Sequence, residues 1–166
     1  MLKYRVKQFI WAITAYFNPI DEKMLEQYLN DKELNVFKKM KVSEQQHCIR
    51  VCKDALFESK NYESIDENKL AKIALLHDVG KVYGSLNVID KSVIVILDKI
   101  TKGNLKRYTY IKKIDVYYNH PKKSLKLLKK IDKYDKEFLE AIGKHHQDCS
   151  YKNDYLRIIK KCDDNN

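Results

Sequence analysis

The chain has 166 residues, of which 44% are hydrophobic and 34% charged, with only 4 glycines and 2 prolines. This composition argues against a disordered, loop-rich or strand-rich chain and favours packed helices, and the length is enough for one domain to bury a core without disulfides. Lysine and arginine number 33 against 23 aspartates and glutamates, so the net charge of +10 leaves nucleotides, nucleic acid and anionic lipid open as partners.

Neither a disulfide-stabilised secreted protein nor a membrane-spanning one is indicated. The four cysteines show no C-x-x-C spacing and follow no signal peptide, which argues against a disulfide framework and a zinc knuckle. The apolar stretch from Phe9 to Phe17 is well short of the ~20 residues that cross a bilayer. We therefore expect a cytoplasmic protein in which this stretch is a core or docking helix.

The first part of the chain is predicted to be a succession of helices. Residues 3–17 form the first candidate, and a second begins after Asp21. A short third helix carries three apolar residues at helical spacing: Leu34, Phe37 and Met40. Ser43 followed by Gln46 has the spacing of a capping box, which predicts a helix start just before His47.

A second capping box predicts the start of the next helix at Ser64 and Glu67. Its apolar residues recur at the spacing of one helix face: Leu70, Ile73 and Ala74. The same series arrives at His77, so this histidine extends the buried face, and Gly80 then offers a stop.

Residues 88–100 are rich in β-branched side chains, which suit a strand. Four apolar residues nevertheless recur at helical spacing: Ile89, Val93, Ile96 and Ile100. We therefore predict a helix over residues 88–100. Because proline is tolerated in the first turn of a helix, His120 and Pro121 are predicted to open the next one.

The last two predicted helices both carry polar groups on their apolar sides. The helix after Asp135 has an apolar stripe that continues to His145 and His146. The helix after Asp154 places Asp163 in phase with its leucine and isoleucine residues. These polar groups are therefore expected to point toward the interior.

Seven imidazole and carboxylate side chains are predicted to point inward, and they include every histidine of the chain: His47, His77, Asp78, His120, His145, His146 and Asp163. A lone histidine on an apolar face is more often a hydrogen-bonded core residue than a ligand. Buried carboxylates, however, need a proton, a cation or a metal. Seven donors exceed what one metal takes from protein, so two divalent metals sharing Asp78 are the simplest arrangement.

Residues 75–81 read LLHDVGK and resemble the His-Asp motif of the HD superfamily of metal-dependent phosphohydrolases. Further segments resemble the other motifs of that family in their order along the chain: His47, Asn119-His120-Pro121, His145-His146 and Cys162-Asp163-Asp164. The resemblance runs from about Phe37 to Asp164. It implies a single all-α, HD-type multi-helix domain over residues 1–166, in which helices of residues 1–36 pack on a metal-binding core of residues 37–164.

The resemblance also implies a ligand set for two divalent metals, whether iron, manganese, zinc, nickel, cobalt or magnesium. The first metal would be held by His47, His77, Asp78 and Asp163. The second would be held by Asp78, His120, His145 and His146. Helical phase favours Asp163 over Asp164 as the last ligand.

The implied reaction is hydrolysis of a phosphomonoester or phosphodiester, on a nucleotide or a related small molecule. Two cations lower the pKa of a bridging water from about 15.7 toward ~7, which makes hydroxide available. Lys81, one helical turn beyond Asp78, would offset charge on a phosphate oxygen, although the helix dipole also favours a lysine there. Asp78 and Lys81 are thus the candidate catalytic residues.

Several features leave alternatives open. The Gly-Tyr-Pro signature of relatives that cleave cyclic dinucleotides is absent after His146. Ser43 occupies the position at which some relatives carry an acidic residue for a third metal. Mixed-valent di-iron oxygenases share the fold and nearly the same ligands, and a nucleotide-binding regulatory module could keep the metals without turnover. Nucleic acid is disfavoured, since no helix-turn-helix or basic region is evident.

Overall fold

The computed structural model describes residues 18–84, 86, 88–147 and 152–166. Within these residues the chain forms helices and no strand, which confirms the all-α prediction. The α-helices are, in chain order, α1 Glu22–Tyr28, α2 Asp31–Phe37, α3 Val42–Glu58, α4 Glu67–Leu76, α5 Val88–Ile100, α6 Lys112–Ile131, α7 Lys136–Lys144 and α8 Asp154–Asn165. Three short 3₁₀-helices cover Ser59–Asn61, Val79–Tyr83 and Asn104–Tyr108. The predicted helix over residues 3–17 lies outside the described residues.

The main hydrophobic core surrounds α4. Its second half has fully buried residues around most of its circumference: Leu70, Ala71, Ile73, Ala74, Leu75 and Leu76. A helix of this kind must lie largely inside a protein, and α3, α7 and α8 pack around it. The end of α4, which leads to His77 and Asp78, is thereby delivered into the interior.

A second, smaller core lies beneath α5. It consists of Leu86, Ile94, Leu105 and Ile114, with two tyrosines of α6 packed against it. The structure confirms that residues 88–100 form a helix rather than a strand. No helix in the described part of the chain, α5 included, combines the length and the apolar character needed to cross a membrane.

The predicted capping box at Ser43 is wrong. Helix α3 already begins at Val42, and no side chain caps its first turn. The Gln46 side chain is used differently: its amide donates hydrogen bonds to the carbonyls of Asn18 and Pro19, at 3.1 and 3.0 Å. Gln46 therefore links the segment before α1 to α3 and does not form a hydrogen bond to a cap residue.

The second predicted capping box, at Ser64, is also wrong. Helix α4 begins at Glu67, and Asp66 is its cap residue. The Asp66 carboxylate accepts hydrogen bonds from the backbone N–H groups of Asn68 and Lys69, at 2.8 and 3.1 Å. An ionised carboxylate that pairs with two free N–H groups is a strong helix cap, so Asp66 takes this role from Ser64.

His120 and Pro121 do not open a helix, contrary to the prediction. Helix α6 starts at Lys112 and continues through Pro121. A proline inside a helix removes the hydrogen bond to the carbonyl four residues earlier, which here belongs to Tyr117. The Tyr117 carbonyl accepts a hydrogen bond from Nδ1 of His120 instead, at 3.0 Å. The histidine ring thus supplies the donor that the proline lacks.

Gly80 was predicted to end a helix, and this prediction is wrong. Helix α4 ends at Leu76, and Gly80 lies within the following 3₁₀-helix. A Cβ atom at Gly80 would lie 2.2 Å from the carbonyl oxygen of His120 and 2.5 Å from the backbone nitrogen of Ser124. Glycine is therefore required because the segment after His77 and α6 approach each other so closely.

Candidate metal centre

All seven side chains predicted as metal ligands meet where the ends of α4 and α7 approach α3, α6 and α8. The first group consists of His47, His77 and Asp163. The second consists of Asp78, His120, His145 and His146. Within each group, one nitrogen or oxygen atom of every residue lies within 4.8 Å of the others.

His77 and His145 are placed by the same local structure. Each is the residue that follows the last turn of its helix, α4 or α7. The last carbonyls of a helix have no donor within the helix, and Nδ1 of each ring lies 2.8 Å from one of them, that of Ala74 or Ile142. Because a carbonyl can only accept, Nδ1 carries a proton, and Nε2 is the ring nitrogen that faces the cluster.

The two carboxylates lie between the imidazoles. Nε2 of His120 is 3.2 Å from Oδ1 of Asp78, and Nε2 of His77 is 3.5 Å from Oδ2 of Asp78. Nε2 of His47 is 2.9 Å from Oδ1 of Asp163 and 3.6 Å from Oδ2 of Asp78. Asp78 therefore reaches both groups, as a shared ligand would have to.

His146 is the most exposed member of the cluster. Its side chain is 45% exposed, with Nδ1 3.5 Å from Oδ2 of Asp163 and Nε2 3.0 Å from Nε2 of His120. Asp163 is buried, while the neighbouring Asp164 is exposed. The geometry thus brings Asp163 into the cluster, in line with its helical phase.

Three buried atoms of the cluster have no hydrogen-bond partner among the described residues. They are Nε2 of His77, Oδ1 of Asp78 and Nε2 of His145. A buried polar atom without a partner destabilises a protein by roughly 1–3 kcal/mol. All three are atoms that coordinate divalent metals, so the residues present fit a bound metal.

The electrostatics of Asp78 and His145 favour the forms that bind cations, whereas those of His77 do not. Burial lowers the pKa of His77, but the nearby Asp78 outweighs it and raises that pKa well above its ordinary value, so a metal would have to displace a proton from this ring. Burial alone would raise the pKa of Asp78, but Lys81 and His77 outweigh it and hold that pKa well below its ordinary value. Burial lowers the pKa of His145 well below its ordinary value, and the neighbouring His146 acts in the same direction. An ionised carboxylate and a neutral imidazole are the states required for metal binding.

The sequence analysis missed Glu44. This carboxylate is buried on α3, three residues before His47, and pairs with Lys81 at 3.2 Å and Lys91 at 2.8 Å. The i, i+3 spacing of Glu44 and His47 places both on one helix face, and this spacing was the available signal.

Cys48 is the other neighbour that the sequence analysis did not single out. Its sulfur groups with ligand atoms of His77 and Asp78. Burial raises the pKa of the Cys48 thiol, which keeps the thiol protonated. Since the thiolate is the form that binds metals, Cys48 is a poorer candidate than the imidazoles around it.

A cavity of about 1010 Å³ opens onto the cluster. Five basic side chains line it: Arg50, Lys81, Lys91, Lys106 and Lys122. Lys81 donates hydrogen bonds to the carboxylates of Asp78 and Glu44. It therefore lies beside Asp78, where the sequence placed it, at the wall of a cavity that is lined by these five cations and by four carboxylates.

The helices and the histidine–aspartate cluster define a class: all-α proteins whose side chains could hold divalent metals. The family model for the HD domain matches residues 45–164, and the chain belongs to this family. The family consists mostly of metal-dependent phosphohydrolases, and membership indicates the metal-dependent hydrolase superfamily. No curated protein and no solved structure gave a match.

Proposed function

We propose that the protein hydrolyses a phosphomonoester or phosphodiester of a nucleotide or related small molecule, with two divalent metals. The observation that carries this proposal is the convergence of buried ligand atoms that have no hydrogen-bond partner in the described part of the chain: Nε2 of His77, Oδ1 of Asp78 and Nε2 of His145. When bound, the two cations would acidify a shared water and draw charge from a phosphate oxygen.

The ligands would be divided as the two groups suggest, with Asp78 common to both. His47, His77 and Asp163 would complete one set. His120, His145 and His146 would complete the other. The Nδ1–H hydrogen bonds of His77, His120 and His145 to backbone carbonyls hold these three rings in orientation.

Lys81 is proposed to bind a phosphate oxygen of the substrate. Glu44 holds its ammonium group at the cavity wall, 3.2 Å from a carboxylate oxygen, and burial of that pair disfavours other orientations. Arg50 and Lys91 line the same cavity. An ammonium group fixed in place before the reaction offsets developing charge more effectively than water does.

The cavity supports a small substrate. Its volume of about 1010 Å³ is at the upper end of the ~300–1,000 Å³ of small-molecule sites. Tyr117 and Tyr118 line it together with the basic residues, so an aromatic base and a phosphate could both be accommodated. These features favour a nucleotide or a molecule of similar size.

The first experiment measures metal content and turnover in Asp78→Ala and in a control, Asp31→Ala, which changes an exposed aspartate on α2 outside the cavity lining. Elemental analysis should find about two metals per chain in wild type and Asp31→Ala, and a loss of most of both in Asp78→Ala. Hydrolysis of p-nitrophenyl phosphate, its bis ester, nucleotides or cyclic dinucleotides should follow the metal content. Turnover that survives in Asp78→Ala would refute the mechanism.

Lys81→Gln separates substrate binding from metal binding. This variant should keep its metals and lose roughly 10²–10³-fold in kcat, the effect of removing one charge-stabilising donor. Two results would replace the proposal with another function. Oxygen consumption by an iron-loaded sample would indicate an oxygenase, and tight nucleotide binding without hydrolysis would indicate a regulatory module.

A further inference from the structure

Among the residues that the structure describes, the exposed apolar side chains are concentrated in one segment. Eight of the ten large hydrophobic residues that are exposed in the described chain lie between residues 89 and 111. We call these eight the α5 apolar face: Ile89, Val93, Ile96, Leu97, Ile100, Tyr108, Tyr110 and Ile111. A concentration of exposed apolar side chains in one segment indicates an interaction site more strongly than single exposed residues do.

Helix α5 has two different sides. Four residues of the α5 apolar face lie within about 60° of arc on the helix, at 100° per residue: Ile89, Val93, Ile96 and Ile100. The opposite side carries Ile94, which is buried in the smaller core, and Lys91 and Asp98, which line the cavity. The apolar face therefore points away from the rest of the described chain.

The α5 apolar face is bordered by positive charge. Five basic side chains are exposed between residues 99 and 113, apart from Lys106, which lines the cavity: Lys99, Lys102, Arg107, Lys112 and Lys113. The segment 88–113 contains two acidic residues, and neither is exposed. Asp90 pairs with Lys113 at 2.6 Å, and Asp98 accepts a hydrogen bond from the hydroxyl of Tyr118. The border is therefore strongly cationic.

We propose that the α5 apolar face docks on an anionic membrane surface. A helix with an apolar side and lysine or arginine beside it lies in the plane of the membrane interface. Exposed Tyr108 and Tyr110 are side chains that favour the same interface. With 13 residues, α5 is about 20 Å long, which suits a helix that lies on a bilayer and does not cross it.

Charge argues against a second copy of the chain as the occupant. In a two-fold symmetric dimer the same patch faces itself, so the exposed cations would lie opposite identical cations. Like charges placed together at an interface oppose association. An anionic bilayer instead offers negative charge around an apolar interior, and it complements both parts of this surface.

Docking of the α5 apolar face would place one wall of the cavity next to the bilayer. The inner side of α5 contributes Lys91 to the cavity, and Lys91 is bound to Glu44 at 2.8 Å. The proposal does not rest on the proposed function, because no metal ligand belongs to the α5 apolar face. Asp78→Ala should therefore bind membranes as the wild type does.

The experiment is flotation of the full chain with vesicles of phosphatidylcholine alone or mixed with phosphatidylglycerol. Wild type should bind only the anionic vesicles, and added salt should weaken binding. The double variant Ile96→Ser/Ile100→Ser should lose more than about tenfold in binding affinity, because each isoleucine side chain that becomes buried in the bilayer contributes about tenfold. Phe57→Ser is the matched control, because Phe57 is 73% exposed on α3, outside this surface.

A second pair of variants tests the charged border. Lys99→Gln/Arg107→Gln should weaken binding about fivefold for each cation removed. Lys129→Gln/Lys130→Gln removes the same charge from an exposed turn of α6 and should change binding by less than about twofold. Circular dichroism should show equal melting temperatures for all four surface variants, which separates membrane binding from folding.

Three results would overturn the proposal. The first is equal binding of wild type to neutral and anionic vesicles. The second is equal binding of Ile96→Ser/Ile100→Ser and Phe57→Ser, which would assign the interaction to another surface. The third is a wild-type dimer in light scattering that becomes a monomer in Ile96→Ser/Ile100→Ser, which would show that a second copy covers this face.

Discussion

Helices α4 and α5 carry the same kind of apolar stripe in different surroundings. On α4 the stripe is fully buried and leads to His77: Leu70, Ile73 and Ala74. On α5 a stripe with helical spacing is 48–71% exposed: Ile89, Val93, Ile96 and Ile100. Periodicity therefore predicts that a helix forms, but it does not say whether the chain itself covers the apolar side.

The difference follows from the other sides of the two helices. Helix α4 is also apolar away from its stripe, at Ala71 and Leu75, so it is stable only at the centre of the core. Helix α5 has Asp90, Lys91 and Asp98 on its other sides and rests on a small core. The histidine–aspartate cluster is thus built on the main hydrophobic core, which we call the rigid layer. The α5 apolar face lies outside it, at the periphery.

The sharpest test of this comparison is the pair Ile73→Ala and Ile96→Ala. Ile73 is 0% exposed and Ile96 57% exposed. Removing a fully buried isoleucine side chain lowers the free energy of unfolding by about 2–5 kcal/mol, whereas the exposed substitution should change it by less than about 0.5 kcal/mol. Urea denaturation measures both. Equal losses would mean that the chain itself covers α5.

A second test compares two glycines. Ala at position 80 would bring Cβ to 2.2 Å from the His120 carbonyl oxygen, and such overpacking lowers the free energy of unfolding by about 3 kcal/mol. Gly103, just after α5, has a φ of +83° and open space around it, so Gly103→Ala should lower it by only about 1–2 kcal/mol. The melting temperature of Gly80→Ala should be the lower one. The reverse order would contradict the close packing described for the cluster.

Local pattern was enough to predict most helices. Phe138, Ile142 and His145 on α7 follow one helix face, and the helix lies where this pattern placed it. Helix starts were harder, because several residues near a start can act as the cap. Asp66 is the cap of α4 in place of Ser64, since its carboxylate accepts two backbone N–H groups.

Side-chain contacts explain what hydrophobic periodicity could not predict. Pro121 is accommodated within α6 because the His120 ring donates to the Tyr117 carbonyl that the proline leaves free, a contact within the same helix that periodicity does not reveal. Glu44 is buried because Lys81 and Lys91 come to it from two other elements. The meeting of the seven polar side chains was predictable because most of them extend an apolar stripe of their own helix.

The test with the smallest expected effects concerns two hydroxyl groups, those of Ser124 and Tyr118. Each lies on α6 and forms a hydrogen bond to another element. Ser124 is fully buried, accepts from the backbone N–H of Gly80 at 2.8 Å and donates to the carbonyl of His77 at 2.9 Å. Ser124→Ala leaves both backbone groups without this partner, so the free energy of unfolding should fall by about 1–3 kcal/mol. Urea denaturation measures this loss, and a change below about 0.5 kcal/mol would contradict it.

Tyr118→Phe is the matched change on the side of α5, because the Tyr118 hydroxyl donates to Asp98. One partly buried hydrogen bond contributes about 0.5–1.5 kcal/mol. The effect should remain local, since α5 rests on a small separate core and can open without the main one. Hydrogen exchange should therefore speed up in residues 88–100 and remain unchanged in α4. Faster exchange in both helices would show that they unfold together, and the division into a rigid layer and a periphery would then be wrong.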